Sequence, residues 1–489
     1  MSKIINILKQ NKNLAPIIFI IAIFLFLSIP HLSDSFIHFN EDNDALYGNA
    51  AANWVHFGIF KLKFGMVGNY LNSLPEKLSF YTHHPSFFIL PTYLLYQIFG
   101  INELTTRLAP LIFALFTIVI FFFLIFEITK NRMLAVLSAF FLATFPALTF
   151  YGKMLDQEIF ILFFAILSFY LFIKLKETDQ KIYFWLLLIS LFFGNLCGWH
   201  FYFIPLIIWF LSLINKNFYH KKLLLFLIPL IVLFSLALIF SHLYLLGGTE
   251  AFKDLFSAFG MRSQMIPLNF WFKRLWVILK INFPALIVVL GFGWLIYSLI
   301  KYFKEKQLNW TVILFLHPFL ITIIFKQWVT HPYGPFYFTP FFAFAFAQFV
   351  YFLFEKLKRN KKNEEVAYLV LFGLIILQFY WAINGLKFFD KNLVLNQSTI
   401  EFLKNIRNQI KSSDLCLGQN ATGIGYGAIF SFYLQKPLAS SPDCIEKNIP
   451  QAIIFNPQLG DFYLNETKKF ENAGYKPLSC GGLICLMEK

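Results

Sequence analysis

The sequence predicts an all-α polytopic membrane protein of about eleven transmembrane helices, with a small C-terminal α/β domain outside the membrane. Three observations point there. Of 489 residues, 58% are apolar and only 14% charged, whereas a soluble domain carries about 25% charge. A surface so poor in charge needs lipid as its solvent. Apolar runs of spanning length recur between residues 14 and 383, and the basic residues fall in short clusters between them. That clustering is the signature of the positive-inside rule. The net charge of +15 is thereby explained by topology, and no nucleic-acid partner is expected.

The elements follow in order. Lys3, Lys9 and Lys12 precede the run Leu14–Pro30, which no small-x-small cleavage site follows. A retained first helix is expected rather than a signal peptide. A spanning helix needs about 20 apolar residues. Segments 14–30, 107–127, 133–150, 157–174, 182–199, 201–214, 223–246, 281–300, 310–325, 336–354 and 366–383 are the candidates. With the N-terminus cytoplasmic, nineteen basic residues fall on the inner side, among them Lys174, Lys176, Lys221, Lys222, Lys301, Lys304, Lys356 and Lys358. The outer loops hold roughly half as many over much longer stretches. Ser86–Phe99 is also apolar, but its 14 residues make a helix of about 21 Å, too short for a ~30 Å core. Counting it as a span would invert every later loop. It reads as an interfacial or re-entrant helix, with Pro85 at its first position, inside an outer segment covering 31–106.

The expected organisation is a membrane domain over 1–383 and a soluble domain over 384–489. In the latter, Ser398–Lys411 reads as an amphipathic helix capped by Ser398. Leu415–Leu417, Ala452–Phe455 and Leu483–Met487 read as strands. Gly423-Ile-Gly-Tyr-Gly-Ala lacks the flanking strand of a phosphate loop and does not predict nucleotide binding. Cys416, Cys444, Cys480 and Cys485 lie in this tail and lack zinc-ligand spacing. One or two disulfides are expected if the tail faces an oxidising compartment.

Ionisable groups beside the bilayer are costly to bury and therefore informative. Glu41-Asp42-Asn43-Asp44 follows the first helix. Three carboxylates so close repel, and at least one pKa should rise unless a cation sits nearby. The group is either a solvated acidic loop or a general base at the lip of a cavity. His83 and His84 precede the short helix, where an anion such as phosphate can be held. Lys153, Asp156 and Glu158 share the short loop between the third and fourth spans. Arg107, His200, Arg262 in the loop 247–280, and His331 with Tyr333 are further candidates. These groups concentrate at one face rather than through the midplane, which disfavours a transporter.

Five stretches in order resemble a known family: Asp42-Asn-Asp-Ala-Leu-Tyr, His83-His-Pro, the run from Phe99 to Arg107-Leu-Ala-Pro, Tyr151-Gly-Lys-Met-Leu-Asp-Gln-Glu158, and His331-Pro-Tyr333. The chain resembles the GT-C superfamily of lipid-linked-sugar glycosyltransferases, in the branch of protein O-mannosyltransferases and aminoarabinose transferases. The resemblance covers about residues 1–350. It implies inverting transfer of a sugar from a polyprenyl-phosphate donor to an acceptor lipid, protein or glycan at the outer face of the cell membrane. It also implies Asp42 or Asp44 as catalytic base, and Glu158 or Asp156 as the second acidic residue. Arg107, Lys153 and Arg262 would hold the donor phosphate, with His83, His84, His331 and Tyr333 beside it. No cofactor is expected, although Glu41 and Asp42 leave a divalent metal open. A non-enzymatic lipid or sugar flippase is the rival class. It would need ionisable groups at midplane and no particular loop carboxylate.

Overall fold

The computed structural model describes residues 14–38, 40–214, 220–305, 309–359, 364–391, 395–410, 415–417, 426–440, 449–455 and 468–489. Its bundle comprises α1 (Leu14–Ser28), α2 (Asp42–Phe57), α3 (Leu90–Phe99), α4 (Glu103–Thr129), α5 (Arg132–Thr144), α6 (Pro146–Tyr151), α7 (Gln157–Thr178), α8 (Lys181–Cys197), α9 (Phe203–Ile214), α10 (Lys221–Ser263), α11 (Leu268–Asn282), α12 (Ala285–Glu305), α13 (Trp310–Ile324), α14 (Thr339–Lys358) and α15 (Glu364–Lys391). The tail adds α16 (Gln397–Ile406), β1 (Leu415–Leu417), α17 (Tyr426–Leu434), β2 (Leu438–Ser440), β3 (Gln451–Phe455), β4 (Lys476–Gly481) and β5 (Ile484–Glu488).

Among the described residues, seven helices are long and apolar enough to cross a membrane: α1, α4, α7, α10, α12, α14 and α15 with their flanking turns. The other four expected spans correspond to α5, α8, α9 and α13, which are shorter. The expected span 133–150 is broken because Pro146 forces Phe145 out of the helical region, to φ −71° and ψ 129°. Helices α7 and α14 are mostly buried and form the centre. Helices α10, α12 and α15 face outward, exposing such residues as Phe226, Leu233 and Leu369, as a lipid-facing rim requires.

Three expectations are corrected. The stretch 247–280 is helical rather than a loop. Gly248, at φ 58° and ψ −138°, breaks α10 in a conformation open to glycine, and the helix resumes to Ser263. The helix after His83-His84-Pro85 begins properly only at Leu90, after a 3₁₀ turn over Phe87–Ile89, so neither imidazole sits on its first turn. The last bundle helix runs past Ile383 to Lys391.

The tail sheet has the order β2-β1-β3-β5-β4, parallel among the first three strands and antiparallel in β3-β5-β4. All three expected strands are present. The α16 cap is Asn396, whose side chain accepts from Thr399 N, rather than Ser398. Cys480 and Cys485 face each other across β4 and β5 and are bonded. Cys416 is also disulfide-bonded. Cys444 and Gly423–Gly425 lie outside the described residues.

One buried ion pair positions the outer segment. Arg107, fully buried in the first turns of α4, donates from Nη2 to Glu41 Oε1 at 2.7 Å and from Nη1 to the carbonyls of Leu32 and Asp34. Glu41 Oε2 accepts from the backbone N–H groups of Ile37 and His38 and from the His38 ring. Burial by itself would raise the Glu41 carboxyl; Arg107 and the bonds from His38 outweigh it and hold it at about 2. The guanidinium also lies 4.9 Å from the centre of the Phe36 ring. Phe36 in turn packs on Phe432, and its N–H donates to the Tyr433 hydroxyl of α17, so the same anchor ties down the tail.

Breaking such a pair strands a buried charge and costs about 3–5 kcal/mol. Arg107→Gln is expected to lower the apparent Tm of the purified protein markedly, and Glu41→Gln combined with Arg107→Gln to lower it less than Arg107→Gln alone. Thermal unfolding in detergent measures both.

Candidate active site

The site is assembled where the start of α2 meets the start of α7. Asn40, in the left-handed region at φ 64°, turns the chain into α2; asparagine is among the few residues that tolerate this. Asp42 and Asp44 then occupy the first turn, where the helix dipole favours negative charge. Asp44 points inward. Its Oδ1 accepts from Leu155 N at 2.6 Å, and Oδ2 lies 3.8 Å from Arg107 Nε. Asn43 Nδ2 donates to Asp156 Oδ2 at 2.6 Å. Asp156 caps α7, accepting from Gln157 N on its other oxygen, and shares a hydrogen bond with the Glu158 carboxyl. Residues 43 and 44 thus staple the loop before α7. The carboxyl groups of the two outer segments, more than a hundred residues apart in sequence, meet in one place.

So many carboxyls cannot all ionise in a buried chamber. Burial raises Asp42 to about 6, helped by Asp156 and Glu41. Burial raises Asp44 to about 7 against the pull of Arg107. Asp156 is also raised by burial, although its hydrogen bonds from Glu158, Gln157 and Asn43 and the charge of Arg262 oppose the shift. Two carboxyls that share a hydrogen bond must hold a proton between them, so Asp156 and Glu158 titrate as a pair. Asp42 differs from the rest: it is half-buried, while Asp44, Asp156 and Glu158 are buried, and its carboxylate accepts from N–H groups of its own turn.

The cations divide into two sorts. Arg262, at the end of α10, acts on Asp156 and hydrogen-bonds the Tyr81 hydroxyl. Its charge also bears on His84 and His331, whose imidazoles are pushed down mainly by burial. Arg107 and Lys153 are instead engaged in the frame. Lys153 Nζ donates to the Ser28 carbonyl at the end of α1 at 3.1 Å. Burial first, then the neighbouring Arg107, lowers its ammonium to about 8. His84 is buried with Nδ1 unpartnered among the described residues. His83 lies further out, its Nε2 3.1 Å from Asp254 Oδ1, and Thr82 donates to the same carboxylate. Tyr333 stacks obliquely on His331 and meets Tyr151 edge-on. His200 lies deeper, its carbonyl accepting from His317.

Above Tyr81 and His83 opens a cleft of about 1230 Å³ between the outer segment, the end of α10 and the tail, with Lys63, Asn69, Lys77, Glu250 and Leu438 in its walls. An isolated bridge between Met66 and Tyr81 closes the loop that forms its floor. The tail is bound here by Asn49 Nδ2 donating to the Ala428 carbonyl and by Tyr70 N donating to Ser431 Oγ.

Sequence reasoning missed Tyr81, Asn43 and Asp254, and also Tyr47, whose side chain hydrogen-bonds that of Tyr81. Tyr81 stands two residues before His83, and Asn43 lies inside the acidic run, so proximity to flagged motifs was their signal. Asp254 carried none, because its helix read as a loop.

Residues 83–256 match the family model described as dolichyl-phosphate-mannose-protein mannosyltransferase. No curated protein sequence matches the chain. Among solved structures, the archaeal oligosaccharyltransferase AglB from Archaeoglobus fulgidus, in complex with an inhibitory peptide and a dolichol-phosphate, is similar with a TM-score of 0.61 at 13% identity, over 92% of this chain and 70% of that one. ArnT from Cupriavidus metallidurans in the apo state is similar with a TM-score of 0.62 at 11% identity, over 96% of this chain and 97% of that one. The same enzyme bound to undecaprenyl phosphate gives a TM-score of 0.59 at 12% identity, over the same shares. Identities this low establish a common fold. The chain thus shares the fold of these membrane proteins over nearly its whole length, and residues 83–256 carry the match to the mannosyltransferase family model.

Proposed function

We propose that the chain transfers a sugar from a polyprenyl-phosphate donor to an acceptor hydroxyl at the outer face of the cell membrane, with inversion at the anomeric carbon. The observation that carries this reading is that the charge of Asp156 acts on Asp42, while Asp156 hydrogen-bonds Glu158 and feels the charge of Arg262. In this reading Asp42 is the base and Arg262 the phosphate-binding cation, at the end of an apolar bundle. The relatives solved with undecaprenyl phosphate and dolichol-phosphate support the donor class. The N-terminus is cytoplasmic in this reading, and the disulfide-bonded tail lies outside the cell, where such bonds persist.

In the reaction Asp42 takes the proton of the acceptor hydroxyl as its oxygen bonds to the anomeric carbon from the face opposite the phosphate. The carbon–phosphate oxygen bond breaks, and the electron pair leaves on the phosphate. Arg262 stabilises that developing charge in a water-poor chamber, where a fixed cation counts for most. The buried Asp156–Glu158 pair, with Asn43, holds Asp42 opposite that cation. Asp44 and Arg107 are assigned to positioning, because Asp44 Oδ1 accepts from Leu155 N, its Oδ2 faces Arg107, and Arg107 is held by Glu41. Lys153 is assigned likewise to the end of α1. The cleft beside Tyr81, with Lys63, Asn69, Lys77 and Glu250 among its walls, admits the acceptor.

Asp42→Asn is expected to lower transfer from a polyprenyl-phosphate sugar about 10²–10⁴-fold, the usual contribution of a positioned base. Unchanged transfer would remove Asp42 from the mechanism. The pH profile carries the sign. A base must be deprotonated to act, so kcat/KM should fall about tenfold per pH unit below about 6 and level off above it; the limb should persist in Asp44→Asn. Arg262→Ala is expected to lower kcat/KM for the donor about ten- to a hundredfold, matching a charged hydrogen bond of about 1.5–3 kcal/mol. Initial rates with a synthetic donor, over a pH series, measure all three.

A further inference from the structure

We infer that His31, Asp34 and His38 form a site for a borderline divalent cation of the zinc type, at the turn where α1 hands over to the outer segment. One ligand atom from each of the three lies within 4.8 Å of the others. None of them belongs to the carboxyl cluster proposed to carry the reaction.

The inference stands on how His38 is held. Its Nδ1 lies 3.0 Å from Glu41 Oε2. Glu41, paired with Arg107, is a carboxylate and can only accept. The Nδ1 atom therefore carries the proton, which leaves the Nε2 lone pair as a ligand. An imidazole oriented by a carboxylate in this way is the usual outer-shell support of a metal-bound histidine. The His38 ring is also fixed by its setting: it is buried, with its edge to Phe150 and to His31 at 5.7 Å.

The other two ligands can adjust. His31 Nδ1 and Asp34 Oδ2 are 2.9 Å apart, and their side chains are 26% and 42% exposed. Metal–ligand bonds of 2.0–2.1 Å set tetrahedral ligand atoms about 3.4 Å apart. Small rotations of these two side chains bring the trio to that spacing around a buried, fixed third ligand. Two imidazoles and one carboxylate suit zinc, whereas magnesium and calcium favour all-oxygen sets. A fourth position is left for water. Bound there, the cation ties residues 31, 34 and 38 together just before Glu41, whose partner Arg107 also takes the carbonyls of Leu32 and Asp34. It acts as a clamp on the segment that presents Asp42.

The test uses the full chain, purified with its affinity tag removed and stripped with a chelator, then titrated with zinc alone. Expected are about one zinc per chain by elemental analysis, a zinc-dependent rise in Tm, and a visible absorption of tetrahedral type with cobalt. His31→Ala and Asp34→Ala change half-exposed side chains and leave the Glu41–Arg107 pair intact; each should weaken zinc binding at least tenfold and reduce the Tm rise. Absence of zinc binding to the native chain, or equal binding by the His31→Ala/Asp34→Ala double variant, would overturn the inference.

Discussion

The buried ion pair between Arg107 and Glu41 is the constraint on which the rest of the structure depends. An unpaired guanidinium in the first turns of a spanning helix would be among the costliest groups in the bundle. It is satisfied by one carboxylate and two carbonyls from residues 32–41. That requirement draws the chain leaving α1 back across the top of α4. It fixes the start of α2 and so decides where Asp42 and Asp44 point. Phe36, beneath the same guanidinium, passes the constraint to α17. A single buried charge thereby couples the bundle, the outer segment and the tail.

The chamber this creates has a simple electrostatic logic. Burial favours neutral carboxyls, and each of Asp42, Asp44 and Asp156 is raised. Asp42 remains closest to solvent, with a pKa of about 6, which is suited to a base near neutral pH. The shared hydrogen bond between Asp156 and Glu158 relieves their repulsion, and Arg262 faces them from α10. Lys153 and Arg107 carry equal formal charge but spend it on carbonyls and on Glu41.

Hydropathy and charge made the bundle legible, because lipid imposes long apolar runs and topology imposes the lysine clusters. They failed where burial is against protein. Helix α2 contains Gly48, Asn49 and Ala50–Ala52, all buried. Small and polar residues that pack on all sides show neither lipid-facing nor amphipathic periodicity. Arg262 was legible as a candidate, but 247–280 read as a loop, so the break at Gly248 and the helix that resumes to Ser263 were not. Arg107 stood out because its burial is expensive, and only the resemblance made it a phosphate ligand; the expense is met by Glu41, a residue that the sequence showed only as one of three crowded carboxylates. Asp42 and Asp44 were indistinguishable by spacing and are separated by two hydrogen bonds, that of Asp44 to Leu155 and that of Asn43 to Asp156.

The central claim is that the donor phosphate sits on Arg262 across the chamber from Asp42. A cryo-EM structure of the chain with bound polyprenyl phosphate tests it most directly. The account predicts phosphate oxygens within hydrogen-bonding distance of the Arg262 guanidinium, with the lipid tail running down between bundle helices and Asp42 facing the open side of the headgroup. A phosphate seated on Lys153, or held away from both Arg262 and the Asp156–Glu158 pair, would contradict it.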